Sequence, residues 1–198
     1  MKQIGMQGFT GKRVWVIGAT SGIGEACAIA LFAAGASVAL SGRRIQNLQT
    51  VAQHAKPDQS LILPLDVTEP KAIQEAYQKL IQEWGQLDLL LFVSGIYIPL
   101  RADNFEMESA EKTINANVLG PMRAVAAVLP NMLERHSGHI AIVGSVAGYS
   151  GLPKALAYGP SKAAMINFCE TLFYDLQPQG IGVHMISPGF VKTEATAQ

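Results

Sequence analysis

A short apolar run that stops at a glycine constrains the fold of this chain more than any other feature. Arg13–Ile17 is rich in β-branched and aromatic residues, a glycine-rich stretch occupies residues 18–24, and an alanine-rich stretch follows over residues 25–34. A run of this length bounded by glycine predicts a buried strand, and the alanine-rich stretch predicts a helix that ends at Gly35. Since a strand that leads directly into a helix is the repeating unit of parallel sheets, the start of the chain predicts an α/β fold.

The same alternation continues along the chain. Thr68 is expected to cap the helix that follows it, and the longest helix has a potential break at Gly120 and Pro121. No linker, repeat or low-complexity stretch divides residues 1–198, which predicts one domain built as a three-layer doubly wound parallel sheet. The further strands are predicted at residues 37–40, 61–65, 87–93, 139–143 and 182–186, and the further helices at residues 45–55, 69–84, 109–135 and 155–176.

Composition narrows the classes of function. Of the 198 residues, 49% are hydrophobic, and fifteen Lys+Arg balance fifteen Asp+Glu. Nucleic-acid-binding surfaces need an excess of basic residues, so a net charge of zero argues against that class. No apolar stretch reaches the ~20 residues of a membrane span, no signal peptide opens the chain, and the two cysteines and four histidines lack metal-ligand spacing. We therefore expect a cytoplasmic protein that binds no metal, no nucleic acid and no membrane.

The glycine-rich turn predicts a binding site for a phosphate. Glycines between a strand and a helix allow a tight turn and the close approach of a pyrophosphate to the backbone. The unpaired N–H groups at the start of the helix favour an anion there. An ordinary tight turn is the alternative, because glycine-rich spacing alone is common. The residues of the turn expected to contact a dinucleotide are Gly18, Ser21, Gly22, Ile23 and Gly24.

The end of the second strand favours one dinucleotide over the other. An acidic residue at this place binds the adenosine ribose of NAD(H), whereas an arginine accommodates the 2′-phosphate of NADP(H). The chain has Arg43 and Arg44 there and no acid. Two guanidinium groups suit a phosphate through charge-assisted hydrogen bonds. The sequence therefore predicts NADP(H) rather than NAD(H), with two solvated surface arginines as the alternative.

A second group of polar residues lies in the later half of the chain. Tyr158 and Lys162 are four residues apart and fall on one face of a helix expected to begin near Pro160, and Ser145 follows the fifth strand. A free phenol has a pKa of about 10, and a lysine ammonium held close to it favours the phenolate. Such a pair on a helix is common, but its combination with Ser145 and the glycine turn predicts a reaction centre.

Taken together these motifs resemble the short-chain dehydrogenase/reductase family over essentially the whole length of the chain. The resemblance implies a Rossmann fold and an oxidoreductase that transfers a hydride between a nicotinamide and a carbonyl or secondary alcohol substrate. The matching features are the glycine turn at residues 18–24, Asp66 with Val67, Asn117 with Gly120, Ser145, the run 158–162 and the run 187–193.

The resemblance also implies a role for each matching residue. Tyr158 would be the general acid in carbonyl reduction and the base in alcohol oxidation, Lys162 would hold the nicotinamide ribose, and Ser145 would polarise the substrate oxygen. Asn117 would hold a water for proton relay, and Asn115, two residues away on the same helix, is the competing candidate. The remaining implied cofactor contacts are Asp66, Val67, Gly95, Pro188, Gly189, Val191 and Thr193.

The chain departs from the family pattern in one four-residue run, at two single residues and at its end. Phe92-Val93-Ser94-Gly95 stands where the family has Asn-Asn-Ala-Gly, Ile17 replaces a threonine, and Ser187 replaces an asparagine. Family members usually continue through a substrate-covering segment and a last strand, which we expect this chain to lack. Because substrate specificity resides largely in that segment, the resemblance leaves the substrate unnamed.

Two further expectations concern partners and the alternative function. The helix of Tyr158 and the alanines of the long helix (Ala116, Ala124, Ala126 and Ala127) offer small-residue faces. The resemblance implies pairing of these helices in a homodimer or homotetramer, and packing within the domain is the alternative. A dinucleotide-binding regulator or scaffold that performs no chemistry is the other functional hypothesis, against which the intact set Ser145, Tyr158 and Lys162 argues.

Overall fold

The computed structural model describes residues 8–191, and these form one six-stranded parallel sheet with helices on both faces. The strands are β1 (Arg13–Ile17), β2 (Ser37–Ser41), β3 (Ser60–Ile62), β4 (Leu89–Phe92), β5 (Gly138–Val143) and β6 (Ile181–Ile186). The helices are α1 (Gly22–Ala33), α2 (Ile45–Ala52), α3 (Ala72–Trp84), α4 (Met107–Ile114), α5 (Gly120–Arg135) and α6 (Tyr158–Leu176). A π-helical segment, Asn115–Leu119, joins α4 to α5.

The order of the strands places a cleft at the centre of the sheet. The order is β3-β2-β1-β4-β5-β6, so the chain builds outward from β1 in one direction and then returns to build from β4 in the other. Every pair is parallel, and Val16 of β1 is in register with Leu40 of β2 and Leu91 of β4. The helices that leave β1 and β4 therefore diverge to opposite faces, and this switch point is where open α/β sheets bind ligands.

Alternating strand residues supply two hydrophobic cores, one on each face of the sheet. Trp15 and Ile17 pack in one core with α3, α5 and α6, whereas Val14 and Val16 pack in the other with α1 and α2. Both faces are covered, which explains why these strands appear in the sequence as continuous apolar runs. The indole of Trp15 donates to the Ser41 hydroxyl at 2.8 Å, and that hydroxyl donates to the Leu63 carbonyl at 2.7 Å.

The predicted fold class is confirmed, and several predicted boundaries are wrong. Helix α3 begins at Ala72 rather than residue 69, because Thr68 does not cap it; the Thr68 N–H and hydroxyl bind the Asp66 carboxylate instead. The strand predicted at residues 61–65 is the three-residue β3, and α6 begins at Tyr158.

The helix predicted over residues 109–135 is interrupted, and the interruption lies just before the predicted break at Gly120. The π segment shifts the hydrogen-bond pattern there, so that the Gly120 N–H donates to the Asn115 carbonyl. A Cβ on Gly120 would lie 3.3 Å from Val67 and 3.4 Å from the Phe92 ring, so α5 starts in close contact with the sheet. Such π segments are frequent at functional sites.

The alanines expected to favour pairing with another copy have two different environments. Ala116, Ala124 and Ala127 are buried within the chain's own core, and Ala126 is exposed. Packing within the domain therefore accounts for three of the four. Residues 8–191 contain no helix that is both long and apolar enough to cross a membrane.

Candidate active site

A cleft of about 550 Å³ opens at the carboxyl ends of β1, β2 and β4. It lies at the switch point of the sheet, and its walls come from the glycine turn and from the loops after β2, β3 and β4. The lining includes many of the residues predicted to bind a cofactor: Gly18, Ser21, Gly22, Ile23, Arg43, Arg44, Asp66, Val67 and Gly95.

Backbone contacts fix the glycine turn in place. Gly18 has φ of 103°, and a Cβ there would lie 2.5 Å from the Ser94 nitrogen, so no larger residue fits. A Cβ on Gly24 would overlap the Gly18 carbonyl oxygen, because α1 packs directly against the turn. The two glycines thus allow the first turn of α1 to approach the end of β1 closely.

The start of α1 carries no side-chain cap within the described part of the chain. Ser21 is the N-cap residue, but its hydroxyl accepts a hydrogen bond from the Arg44 guanidinium at 2.8 Å and does not bind the first-turn amides. Arg44 also reaches the Thr20 hydroxyl at 3.3 Å. The helix start therefore presents backbone N–H groups beside a guanidinium, an arrangement that suits a phosphate.

Arg43 and Asp66 face each other across the mouth of the cleft. The Arg43 guanidinium lies 3.8 Å from the Asp66 carboxylate and its side chain is 73% exposed. Partial burial raises the pKa of Asp66, but hydrogen bonds from Thr68 and the charge of Arg43 outweigh it, and the pKa is lowered. Asp66 is thus held as a carboxylate, and Arg43 remains accessible to a second anion.

Ser145 caps a short turn that follows β5. Its hydroxyl oxygen accepts a hydrogen bond from the Ala147 N–H at 3.2 Å and so caps the 3₁₀ turn Val146–Gly148. The Val146 N–H donates to the Pro188 carbonyl at 3.1 Å, which ties this turn to the loop after β6. The predicted residues Ser145 and Pro188 therefore lie side by side at one edge of the sheet.

Tyr158 and Lys162 lie together in the first turns of α6. The Lys162 Nζ lies 5.5 Å from the centre of the Tyr158 ring and donates to the Val143 carbonyl, at the end of β5, at 3.3 Å. A Cβ on Gly159 would lie 3.5 Å from the Ala147 carbonyl oxygen, within the turn that Ser145 caps. Ser145, Tyr158 and Lys162 are therefore brought to one place by contacts between the end of β5 and the start of α6.

The Lys162 ammonium is almost completely removed from solvent. Its side chain is 5% exposed, and burial lowers the pKa of Lys162 to about 8. Among residues 8–191 no carboxylate forms an ion pair with it. Folding therefore places a buried ammonium, bonded to the Val143 carbonyl, beside the Tyr158 ring.

The Asn117 side chain links the loop after β4 to helix α6 through hydrogen bonds. It is 1% exposed, its Oδ1 accepts from the Ile96 N–H at 2.8 Å, and its Nδ2 donates to the Ile96 carbonyl at 2.9 Å. Nδ2 also lies 3.2 Å from the Ser161 hydroxyl, which donates to the Tyr158 carbonyl. The side-chain amide of Asn117 therefore connects Ile96 to Ser161. Asn115, the competing residue, lines the cleft and accepts from Arg123 at 2.8 Å.

Gly148 is a site residue that the sequence motifs did not indicate. A Cβ there would lie 2.8 Å from the Lys162 carbonyl carbon and 2.9 Å from its oxygen, so the turn of Ser145 rests on the backbone of α6. There is similarly little space at Gly95, since a Cβ added there would lie 3.2 Å from Asn117 Oδ1 and 3.5 Å from Lys162 Nζ. Both contacts join residues far apart in the sequence.

Gly148→Ala is expected to separate Ser145 from Tyr158. The added methyl group meets the Lys162 backbone as well as the end of the Ile166 side chain, and because the backbone cannot turn aside, α6 must move. We expect a loss of about 1–3 kcal/mol in the free energy of unfolding and at least about a tenfold fall in kcat/KM. Gly151→Ala is the matched control, since nothing lies within 4 Å of its Cβ. Denaturant unfolding and steady-state kinetics measure both, and equal behaviour of the two variants would contradict this packing.

The other predicted residues lie at the end of the described chain. Gly189 follows Pro188 in the loop after β6, Val191 is 39% exposed, and Thr193 lies outside the described residues. Within residues 8–191, no three His, Cys, Asp or Glu side chains come together as a metal site.

Comparisons with known proteins agree with this geometry. The family described as short chain dehydrogenase matches residues 12–198. An uncharacterized oxidoreductase of Myxococcus xanthus (strain DK1622) is 39% identical over 184 residues, which cover 92% of this chain and 73% of that protein. An uncharacterized oxidoreductase of Staphylococcus aureus (strain MW2) is 35% identical over 188 residues, covering 95% and 81%.

A solved structure extends the agreement to the fold. A variant of actinorhodin polyketide ketoreductase, determined with NADPH, has a TM-score of 0.90 to this chain at 27% identity, over 97% of this chain and 75% of that one. The glycine turn, the strand order and the family match over residues 12–198 all lead to the same assignment. The chain therefore belongs to the short chain dehydrogenase family of NAD(P)-dependent oxidoreductases.

Proposed function

We propose that this protein is an NADP(H)-dependent oxidoreductase that interconverts a carbonyl compound and a secondary alcohol, with Tyr158 as the general acid and base. The observation that carries the proposal is the meeting of Ser145, Tyr158 and the buried Lys162 at one edge of the sheet, next to the cleft. A bound nicotinamide cofactor would supply or accept the hydride, and the protein would manage the proton and the charge on the substrate oxygen.

The fit of a dinucleotide to the cleft is supported by residues on three loops. The glycine turn and the uncapped start of α1 suit the pyrophosphate, and Arg43 and Arg44 suit the 2′-phosphate. Asp66 and Val67 also line the cleft and would contact the adenine. Lys162 Nζ lies 3.5 Å from the position of a Cβ on Gly95, a residue that lines the cleft, and it would hold the nicotinamide ribose.

In the proposed reduction Ser145 and Tyr158 act on the substrate oxygen. The Ser145 oxygen is the acceptor in its bond with the Ala147 N–H, so its hydrogen is available to donate to a carbonyl. Tyr158 gives its phenolic proton as negative charge develops on that oxygen, and Lys162 stabilises the phenolate that remains. Two donors aimed at the developing charge are the usual source of rate enhancement in such sites.

The first test of the proposal is turnover. NADPH absorbance is followed with a panel of ketones and aldehydes, and NADP⁺ reduction with secondary alcohols. We expect measurable turnover with at least one member, and silence across the panel with NADPH bound would contradict the proposed reaction.

We also propose that the protein is cytoplasmic and assembles as a homodimer or homotetramer. Cell fractionation tests the location, and analytical sedimentation tests the oligomeric state.

Arg43→Ala is expected to weaken the binding of NADPH much more than the binding of NADH. The exposed guanidinium would lose a charge-assisted contact to the 2′-phosphate, so we expect the Kd of NADPH to rise about tenfold and that of NADH less than about twofold. Lys79→Ala, an exposed lysine of α3, controls for the loss of one positive charge. Fluorescence titration measures the four affinities, and an unchanged NADPH/NADH ratio would reject the role of Arg43.

A further inference from the structure

Two loops beside Tyr158 are joined by main-chain hydrogen bonds. The Leu100 N–H, in the loop after β4, donates to the Lys154 carbonyl at 2.9 Å, and the Leu156 N–H donates to the Leu100 carbonyl at 3.2 Å. The result is an isolated parallel bridge between Leu100 and Ala155. The loop after β4 and the loop that precedes α6 therefore form a single wall next to the phenol.

Tyr97 is the side chain that this wall places against Tyr158. The two rings meet edge to face, with centroids 5.2 Å apart and an interplanar angle of 80°. The Tyr97 hydroxyl donates to the Lys154 carbonyl at 3.4 Å, so the same carbonyl holds both Leu100 and Tyr97. The Tyr97 side chain is nevertheless 42% exposed, which leaves ring surface available to another molecule.

Lys154, whose carbonyl accepts both of these hydrogen bonds, has a strained backbone conformation. Its φ is 62°, in the left-handed region that residues with a side chain rarely adopt. Strain of this kind persists where surrounding contacts fix it, and it concentrates near ligand sites. The bonds from Leu100 and Tyr97 to the Lys154 carbonyl are two such contacts, so the position of Tyr97 is determined by the fold.

The wall is mostly apolar where the two loops meet, and the charged Arg101 and Asp103 that follow Leu100 pair with each other at 3.5 Å. Residues 96–100 carry no charged side chain, and Lys154 is the single charged residue between Ser145 and Tyr158. The exposed large side chains of these segments are instead Tyr97, Val146, Tyr149, Leu152 and Leu156. Such a lining favours an apolar substituent over a carboxylate or a phosphate, because anionic groups need paired cations when they leave water.

We propose that Tyr97 determines substrate specificity by packing its exposed ring face against an aryl group bonded to the substrate's carbonyl carbon. This inference rests on the proposed function, since Tyr158 defines where the carbonyl lies. The Tyr97 side chain remains 42% exposed while its ring contacts Tyr158, and aromatic pairs prefer offset or edge-to-face contacts with ring centroids roughly 4.5–7 Å apart. The substrate class is therefore aryl ketones and the corresponding secondary alcohols.

The test measures binding separately from turnover. Acetophenone is titrated into the protein with NADP⁺, a pair that cannot react, and saturation-transfer NMR reports its Kd; acetone is the small probe. Tyr97→Ala is compared with Tyr97→Phe, which keeps the ring, and with Tyr174→Ala, which removes an exposed ring further along α6. Unfolding midpoints verify that each variant is folded.

We expect Tyr97→Ala to weaken acetophenone binding by about tenfold or more. Tyr97→Phe should stay within about threefold of the parent protein, Tyr174→Ala should be unchanged, and acetone should bind weakly to every variant. The proposal is overturned if the parent protein does not bind acetophenone, if Tyr97→Ala binds it as the parent does, or if Tyr97→Phe loses as much as Tyr97→Ala. Acetophenone that binds through Tyr97, while neither it nor any other member of the panel is reduced with NADPH, would contradict the proposed function and leave the binding result intact.

Discussion

Tyr158→Phe is expected to lower kcat for carbonyl reduction by about 10²- to 10⁴-fold, the range for loss of a general acid, while NADPH binds with nearly the same Kd. The substitution removes one oxygen and keeps the ring, so the edge-to-face contact with Tyr97 and the cation–π contact with Lys162 Nζ remain. In the proposed mechanism the phenol acts on the substrate oxygen only as charge develops there, so its loss should affect the chemical step more than binding. Single-turnover absorbance at fixed, saturating NADPH measures that step.

A second tyrosine of the same helix provides the control. Tyr174 lies near the end of α6 and is 63% exposed, so Tyr174→Phe makes the same chemical change away from the cleft. It should leave kcat within about twofold, in keeping with the small effects of ordinary surface changes. If Tyr158→Phe kept more than a tenth of the parent activity, the proton would have to come from another group, and the role proposed for Tyr158 would be rejected.

The fold could be predicted because its signals are local. Arg13–Ile17 was predicted to the residue, since glycine ends the strand and both faces of the strand are buried. The alternation of strands and helices predicted that the strands are parallel. Because parallel strands all end at the same edge of the sheet, the residues that follow them were expected to form the site. Arg43 and Arg44 lie in the cleft for that reason, as does Asp66.

What the sequence did not reveal depends on contacts between distant residues. The side-chain amide of Asn117 bonds to Ile96, twenty-one residues earlier, and to Ser161. Nothing in the local sequence indicates either partner. Thr68 has the residue type of a helix cap, yet the neighbouring Asp66 carboxylate competes for its N–H and hydroxyl. The role of Gly148 likewise depends on the approach of α6, which no spacing encodes.

Lys162→Met is expected to remove activity and stabilise the fold at the same time. In the proposed mechanism the ammonium would stabilise the Tyr158 phenolate formed during the reaction and would hold the ribose, so its loss should lower kcat/KM by about 10²-fold or more. The same ammonium is costly in the protein without cofactor: burial lowers its pKa from 10.5 to about 8, equivalent to about 3 kcal/mol. Methionine fills similar space without charge, and after the bond to Val143 is lost, a net gain of about 1–2 kcal/mol in the free energy of unfolding remains.

The pH dependence of that gain identifies its cause. Below pH 8 both the folded and the unfolded chain carry the Lys162 proton, and the full cost of burying the charge is present. Between pH 8 and 10.5 the folded protein loses this proton while the unfolded chain keeps it, so the unfolded state binds more protons and the stability of the parent protein rises with pH. The advantage of Lys162→Met should therefore be greatest near neutral pH and disappear by about pH 10.5.

Denaturant unfolding at pH 7 and at pH 9.5, without cofactor, measures the difference, with Lys79→Met as the control for an exposed lysine. The control should change stability little at either pH. A Lys162→Met protein that is less stable than the parent at pH 7 would mean that the ammonium contributes to folding through contacts stronger than its bond to Val143. A gain that persists unchanged at high pH would assign the effect to packing and not to the buried charge. The expected pattern, less activity with more stability, is that of a charge retained for catalysis at the expense of the fold.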